Sequence, residues 1–560
     1  MPIDAVPDIT NNQVQVLTQA PNLGAVEMEQ YVTFPVELAM SNLPGVIEIR
    51  SISRFGLSAV TIVFEENMGT YLPRQLVAEK LTQVREDIPE NFGKPQMGPI
   101  TTGLGEIYQY TLEVDSEFVD KYSPVDLRTI QDWIVHRQMT MVPGVVEVNA
   151  FGGHVKQYQV EIDPDRLQSM GITTNQIFDA LQSNNSATGG AYIEKDHMAL
   201  FIRGEGLISS LEDIESIIIE RRNGIPITIG NVADVSFGEA VRYGAFTKDG
   251  KGEAVGGMIM MLKGSNSNEV INEVKERIAL IELSLPEGVH IKPFLDRSKL
   301  IKGTTRTVGT NLAEGALIVI FVLVLLLGNY RGGLIVASTI PISLLFAFIL
   351  MNLFGVWANL MSLGAIDFGI IVDGAVIIVE GVVFALARGL SNQKTLSPEE
   401  RDSLTIKTSG KMMNAAFFGQ LIILIVFIPV LALQGIEGKM FRPMALTFMF
   451  DMIGVMILCL TYVPMMSAWL LKSNNQRSFS DRLIKPLEKF YIRILHFCFG
   501  RMRLIFGATL ALAILSVFGF SRLGGEFIPQ LDEGDIAFHI ILKPGSNLTE
   551  MIDASTKVEM

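Results

Sequence analysis

The stretch Ala365 to Gly381, AIDFGIIVDGAVIIVEG, is apolar enough to lie in a bilayer, yet it carries three acids, Asp367, Asp373 and Glu380. Carboxyl groups at depth in hydrocarbon can take up a proton on one side and release it on the other, and that relay is the chemistry these residues offer. The structural alternative is that they only pair with basic residues of another helix. An acid near a helix centre costs about 2.5–3.5 kcal/mol on insertion scales, so three cost roughly 8–10, while about a dozen Ile, Val, Leu and Phe return only some 4–7. The helix therefore cannot face lipid on all sides. Asp373 and Glu380, seven residues apart, share one face about 10 Å apart along the axis; Asp367 precedes Asp373 by six, about 9 Å away and roughly a third of a turn round. Gly369, Gly374 and Ala375 would let a neighbouring helix approach closely. No other apolar run offers a central Lys or Arg, so any counter-cation is expected outside these residues. An intramembrane aspartyl protease needs two carboxyls close enough to share a proton, and Asp367 and Asp373 on one regular helix are too far apart.

The elements that must hold this helix follow from composition. The chain has 560 residues, 49% hydrophobic, with a mean hydropathy of +0.35, and its apolar residues concentrate after about residue 305. Length and distribution imply several domains, a water-soluble region followed by a membrane region. A net charge of −14 and a pI near 5.1 argue against nucleic acid. Cys459 and Cys498 form neither a disulfide framework nor a zinc spacing. Runs long enough to span a bilayer extend over about 312–327, 334–353, 360–386, 413–433, 444–471 and 504–520. The loop after the third run holds Arg388, Lys394, Arg401, Lys407 and Lys411; that after the fifth holds Lys472, Arg477, Arg482, Lys485, Lys489 and Arg493. Both are expected in the cytoplasm, which places residues 1–305 and the segment after the sixth run outside it. The opening MPIDAVPDIT is no export signal, so a membrane helix is expected to precede Met1.

The external region contains a repeat. LPGVIEIRSISRFGLSAVTIVFE (Leu43 to Glu65) parallels VPGVVEVNAFGGHVKQYQVEID (Val142 to Asp163). Each copy is preceded by a strand and a helical pattern and followed by another helical pattern, RQLVAEKLTQVRED in the first and TTNQIFDALQSN in the second. Strand, helix, strand, strand, helix is the signature of a ferredoxin-like (βαββαβ) unit, here in tandem, with an insertion at about 186–256 before the second unit closes. The start also echoes the end. PIDAVPDITNNQVQVLTQAPNLG at Pro2 resembles PQLDEGDIAFHIILKPGSNLT at Pro529, each read as a strand, a proline, Asn-Leu and a helix. The chain thus reads as the first half of a duplicated architecture, cut early in its second half.

Three stretches, PIDAVPDITNNQVQV, GAIDFGIIVDGAVIIVE and GGEFIPQLDEGDIAFH, carry a family resemblance. The whole chain resembles the heavy-metal efflux branch of the resistance-nodulation-division (RND) transporters, the CzcA/CusA type. The resemblance implies an α+β multidomain membrane protein. Residues 1–105 and 106–305 would be periplasmic porter subdomains, the second with a docking insertion; 306–471 five membrane helices; 472–503 a cytoplasmic amphipathic linker; 504–521 another membrane helix; and 522–560 the start of a further porter subdomain. It implies a multi-pass protein of the bacterial inner membrane, a homotrimer that works with a periplasmic adaptor (membrane fusion) protein and an outer-membrane factor. Its activity would be proton-driven antiport of a metal cation, with no permanently bound cofactor and no enzymatic reaction. The family's motif acids match Asp367, Asp373 and Glu380. Asp373 is followed by Gly374 where the multidrug branch has a second acid, which favours metal over a multidrug or lipid exporter. A membrane receptor of similar build would need no relay at Asp373.

For the metal, copper and silver exporters resemble one another in having methionine where this chain has His539, and imidazole suits divalent zinc, cobalt, cadmium or nickel. His539 is accordingly a candidate ligand. Met258, Met260, Met261, Met412, Met413, Met465 and Met466 read as core filling. His136, His154, His197, His290 and His496 have no metal spacing. DFG at Asp367 lacks the glycine-rich and catalytic loops of a kinase.

Overall fold

A computed structural model describes residues 3–4, 6–89, 92–327, 329–364, 368–392, 397–471, 479–524 and 539–560. The chain divides into two compact units, residues 1–105, 261–271 and 296–537 forming one and residues 106–260, 272–295 and 538–560 the other.

The first unit begins with a four-stranded sheet in the order Val46–Arg54, Leu57–Phe64, Gln13–Gln19, Gln96–Met97. QVQVLTQ alternates as a half-buried strand should, with Val14 and Val16 inside. Met28, Val32, Val36 and Met40 from the helical run Ala25–Met40, together with Val77, Leu81 and Val84 from Tyr71–Asp87, cover the sheet's Val60, Ile62 and Phe64. The Pro-Gly turn read from the sequence is made at Gly45, whose φ of 77° favours glycine, and the Met68 sulfur occupies the space a Cβ would need.

The membrane part of this unit is a helical bundle. The second to sixth apolar runs correspond to five stretches long and apolar enough to cross a membrane: Tyr330–Leu353, Met361–Arg388 (of which 365–367 lie outside the described residues), Pro398–Leu431, Gly435–Leu460 and Met502–Phe520. The first run ends the long helix Arg297–Leu327. The fifth run is broken: one helix ends at Leu460 and a shorter one, Tyr462–Leu470, begins after Thr461, with Pro464 in its first turn unable to donate a backbone hydrogen bond. The bundle core is Ile335, Val336, Ile340, Ala347 and Met351 against Ile371, Val372, Ala375, Ile378, Val379 and Val455.

Polar contacts fasten the bundle to the sheet within this unit. Arg297, first residue of its helix, pairs with Asp4 at 3.1 Å and donates to the Leu104 carbonyl at 2.7 Å. Ser267 donates to the other Asp4 oxygen at 3.1 Å, and Ile3 and Asp4 pair in parallel with Ala358 and Asn359. Lys439, near the start of the 435–460 helix, reaches Glu66 at 2.7 Å and the Thr10 carbonyl at 2.5 Å.

The second unit has a sheet in the order Val289–Asp296, Glu106–Val114, Val255–Met261, Val145–Phe151. The repeat extends further than its sequence pattern: the first helical run of each unit is interrupted by a five-residue π turn, Glu29–Thr33 in one and Gln131–Val135 in the other. A buried polar side chain sits in each turn, Thr33 within 2.8 Å of the Ser53 and Ser58 hydroxyls, and Gln131 bonded to the Tyr110 hydroxyl.

The parallel fails at Lys156–Ile162. Read from the sequence as the third strand of the second unit, it instead pairs antiparallel with Ala233–Glu239 in a separate two-stranded sheet. The helix Thr174–Ser183, read as the closing helix, packs Ile177 and Ala180 beside Ile214, Ile229 and Val232 in the same inserted region. Val255–Met261 and Ser267–Glu282 take the places assigned to them. The cause is local. Where the first copy turns tightly at Gly56, the second has Gly152 and Gly153, both at positive φ, and their Cβ positions are filled by the Ala254 and Pro124 carbonyls, so the chain leaves the sheet. At the end of the chain, Asn547 caps the helix Leu548–Glu559, as read, while residues 539–545 form no strand.

One ion cluster in this unit makes its stability depend on pH. Lys248 lies 2.5 Å and Lys292 2.9 Å from Glu113; the Lys248 hydrogen bond first, then that of Lys292, holds the carboxyl below its ordinary value. A depressed carboxyl contributes stability above its unfolded value, lost as the pH falls through the folded one. Partial exposure limits the gain to about 1 kcal/mol or less. Glu113→Gln is expected to melt slightly earlier than wild type at pH 7, and the two proteins to converge as the pH falls below the ordinary carboxylate range; an unchanged gap across a pH series of thermal melts would refute the assignment.

Candidate proton pathway in the membrane bundle

The helix Phe368–Asn392 presents two faces. Ile371, Val372, Gly374, Ala375, Ile378, Val379, Val382 and Leu386 are buried, at the spacing of a single helical stripe. Asp373 and Glu380 are exposed together on the other side, so the shared face expected from their seven-residue spacing is present. Among the described residues neither carboxyl makes an ion pair or hydrogen bond, and the bundle's nearest cation on that helix, Arg388, stacks on Phe384 at 4.5 Å. Asp367 lies outside the described residues.

Each exposed acid is followed by a glycine on the buried side. The Gln420 amide, from Pro398–Leu431, fills the space a Cβ on Gly374 would need, and Met412 of the same helix lies 2.8 Å from the Cβ position of Gly381. These two glycines set the close approach of the helices, together with Ala375; Gly369 is exposed. Gln420 also faces Cys459 of Gly435–Leu460, with 3.9 Å between Nε2 and Sγ.

The motif pattern alone does not single out two buried polar residues of this bundle. Gln420 is 3% exposed with its Oε1 unpartnered among the described residues; Asp451 is completely buried, and neither of its carboxyl oxygens has a hydrogen-bond partner. The signal for Asp451 was present, a single acid in the apolar run TFMFDMIGV, and is the same signal that singled out Asp373.

His539 is exposed, in a segment without regular structure. Among the described residues no three His, Cys, Asp or Glu side chains come together as a metal site. Met412, Met413 and Met466 lie against the bundle core, Met261 is buried, and Met260 accepts from Asn149 at 3.4 Å, whereas Met465, read as core filling, is exposed.

The family model for the AcrB/AcrD/AcrF family matches residues 1–560. The chain belongs to that family. Its AcrB-like fold is shared with a crystal structure described as a heavy metal efflux pump, crystal form I, at a TM-score of 0.85 and 32% identity, covering 100% of this chain and 53% of that one. It is 43% identical to the cation efflux system protein CzcA of Alcaligenes sp. (strain CT14) over 100% of this chain and 53% of the relative, and 42% identical, with the same coverage, to the cobalt-zinc-cadmium resistance protein CzcA of Cupriavidus metallidurans. The chain spans about half the length of the curated relatives it matches.

The Gly374–Gln420 contact can be tested in this AcrB-family bundle. Gly374→Ala is expected to cost about 1–3 kcal/mol, the usual range for overpacking. Gly374→Ala with Gln420→Ala is expected to recover most of that loss in thermal melts, and failure to recover would show that the glycine is needed for another reason.

Proposed function

We propose that this chain is part of an inner-membrane pump that exports divalent heavy-metal cations, of the zinc, cobalt, cadmium and nickel class, driven by proton influx. It is a secondary active transporter and not an enzyme. The observation that carries the reading is the pair Asp373 and Glu380: two carboxyls on one face of a membrane helix, without a counter-cation among the described residues. Their exposed face is the surface on which further protein or water must lie, because a bare carboxylate cannot rest against acyl chains. Protons pass along Asp367, Asp373 and Glu380, and the buried glycine face keeps the helix registered against its neighbours while their charge changes.

Both four-stranded sheets place the fourth strand beside the first, then the third, then the second, with two helices each, which supports reading them as ferredoxin-like porter units. The basic loops after the third and fifth apolar runs support a cytoplasmic location for those loops and a periplasmic one for residues 1–305. The metal-resistance relatives, by their names, support a metal cargo; a homotrimer working with a periplasmic adaptor and an outer-membrane channel belongs to the same proposal. His539, whose ring is exposed, is a ligand on the cation's route.

In the whole transporter, Asp373→Asn is expected to abolish zinc and cobalt resistance of the host while leaving expression and trimer formation intact. Resistance that survives in that variant would overturn the relay.

A further inference from the structure

Asp451 is not part of the Asp373 stripe. It lies on the face of the 435–460 helix turned toward the 330–353 helix: one turn before it, Thr447 donates to the Met351 sulfur at 3.5 Å, and three residues after it, the Cβ position of Gly454 is filled by the Phe346 ring. The polar side chain beside its carboxyl is Ser343 of the 330–353 helix, buried like Asp451 itself. A serine hydroxyl has one proton, and that of Ser343 is committed to the Ile340 carbonyl at 3.0 Å. Both Asp451 oxygens are therefore left without a donor.

Charged groups elsewhere do not compensate. The 330–353 helix has only Tyr330 and Arg331 as titratable residues, in its first turn; Leu360–Gly364 has none. On the 368–392 helix, Asp373 and Glu380 face away and Arg388 is near the far end. On the 398–431 helix, Glu399, Glu400, Arg401, Asp402, Lys407 and Lys411 are all confined to the first half, and the residue buried toward this neighbour is Gln420. Tyr462 of the following helix is 2.9 Å from Ser338. On its own helix, Glu437, Lys439 and Arg442 belong to the opening turns and Cys459 lies about 12 Å further along the axis.

We propose that Asp451 is a second proton-binding site of the bundle, separate from the exposed acids and occupied by a proton in this arrangement of the helices. The neutral acid has a hydrogen to donate to the Ser343 oxygen, which the carboxylate lacks, so the geometry suits the protonated form. Release of that proton would turn the Ser343 hydroxyl from the Ile340 carbonyl to the carboxylate. Asp451 and Ser343 thereby form a two-position switch between the 330–353 and 435–460 helices, driven by a proton. The inference concerns protonation alone and does not depend on metal as the cargo.

The test is infrared difference spectroscopy of the 560-residue chain in detergent, wild type against Asp451→Asn, across a pH series. A protonated-carboxyl stretch at neutral pH that the variant lacks, with unchanged thermal melting of this neutral isostere, is the expected result. Ser343→Ala, which removes the hydroxyl beside the carboxylate, is expected to carry the band to higher pH than wild type. Absence of a band difference at neutral pH overturns the proposal. So does thermal stability that rises with sodium or potassium in wild type and not in Asp451→Asn, which would make the site a cation site. Loss of resistance in Asp373→Asn bears on the relay and leaves this readout untouched.

Discussion

Everything in the membrane half of this chain is arranged around the cost of a carboxyl group in hydrocarbon. Backbone polar groups vanish into helices, but an acid side chain must find protein, water or a proton. Protonating an ordinary carboxyl at neutral pH takes about 4 kcal/mol, whereas burying a bare ion costs several kcal/mol more than its pairing returns unless the pair is well made. The chain uses two different answers. Asp373 and Glu380 are kept on an open face of their helix. Asp451 is enclosed completely.

The open face is possible because the opposite face is so closely packed. A helix that leaves a charged stripe uncovered can be held only by its remaining surface, and here Gly374, Ala375 and Gly381 bring the neighbouring backbone close enough for Gln420 and Met412 to fill the gaps. Small residues substitute for the apolar area lost to the acids, since dispersion contacts rise as backbones approach. Gly374 also explains why one acid stands here and not two: the position after Asp373 points into the Gln420 amide, where a second carboxyl would have no room.

What the sequence disclosed depended on whether the signal was local. The acids, the apolar runs and the Pro-Gly turns are set by residues next to one another, and the strands Gln13–Gln19 and Glu106–Val114 follow from alternation alone. The strand Lys156–Ile162 has the same alternation as its counterpart in the first unit, but its partner, Ala233–Glu239, lies some seventy residues away and only the paired glycines at 152 and 153 hint at the departure. The π turns carry no local signal, because a five-residue widening leaves the helical pattern intact. Asp451 is legible by the rule that exposes Asp373, but it stands alone in its run; its isolation is also its physical peculiarity, since in this arrangement neither of its oxygens receives a hydrogen bond.

Within the first unit the bundle and the sheet are not joined by chain continuity alone. Arg297 heads the long helix and holds Asp4, which also accepts from Ser267, and both ends of the pair are nearly buried, at 11% and 12% side-chain exposure. Lys439 makes a second, more exposed tie from the 435–460 helix to Glu66. The two ties differ in kind. A surface pair such as Lys439–Glu66 can break and be replaced by water at little cost, whereas separating Arg297 from Asp4 leaves two desolvated charges, a far larger penalty. A shift of the 435–460 helix, the one that carries Asp451, therefore strains the weaker of these two ion pairs, while the helix that starts at Arg297 is anchored by the stronger one.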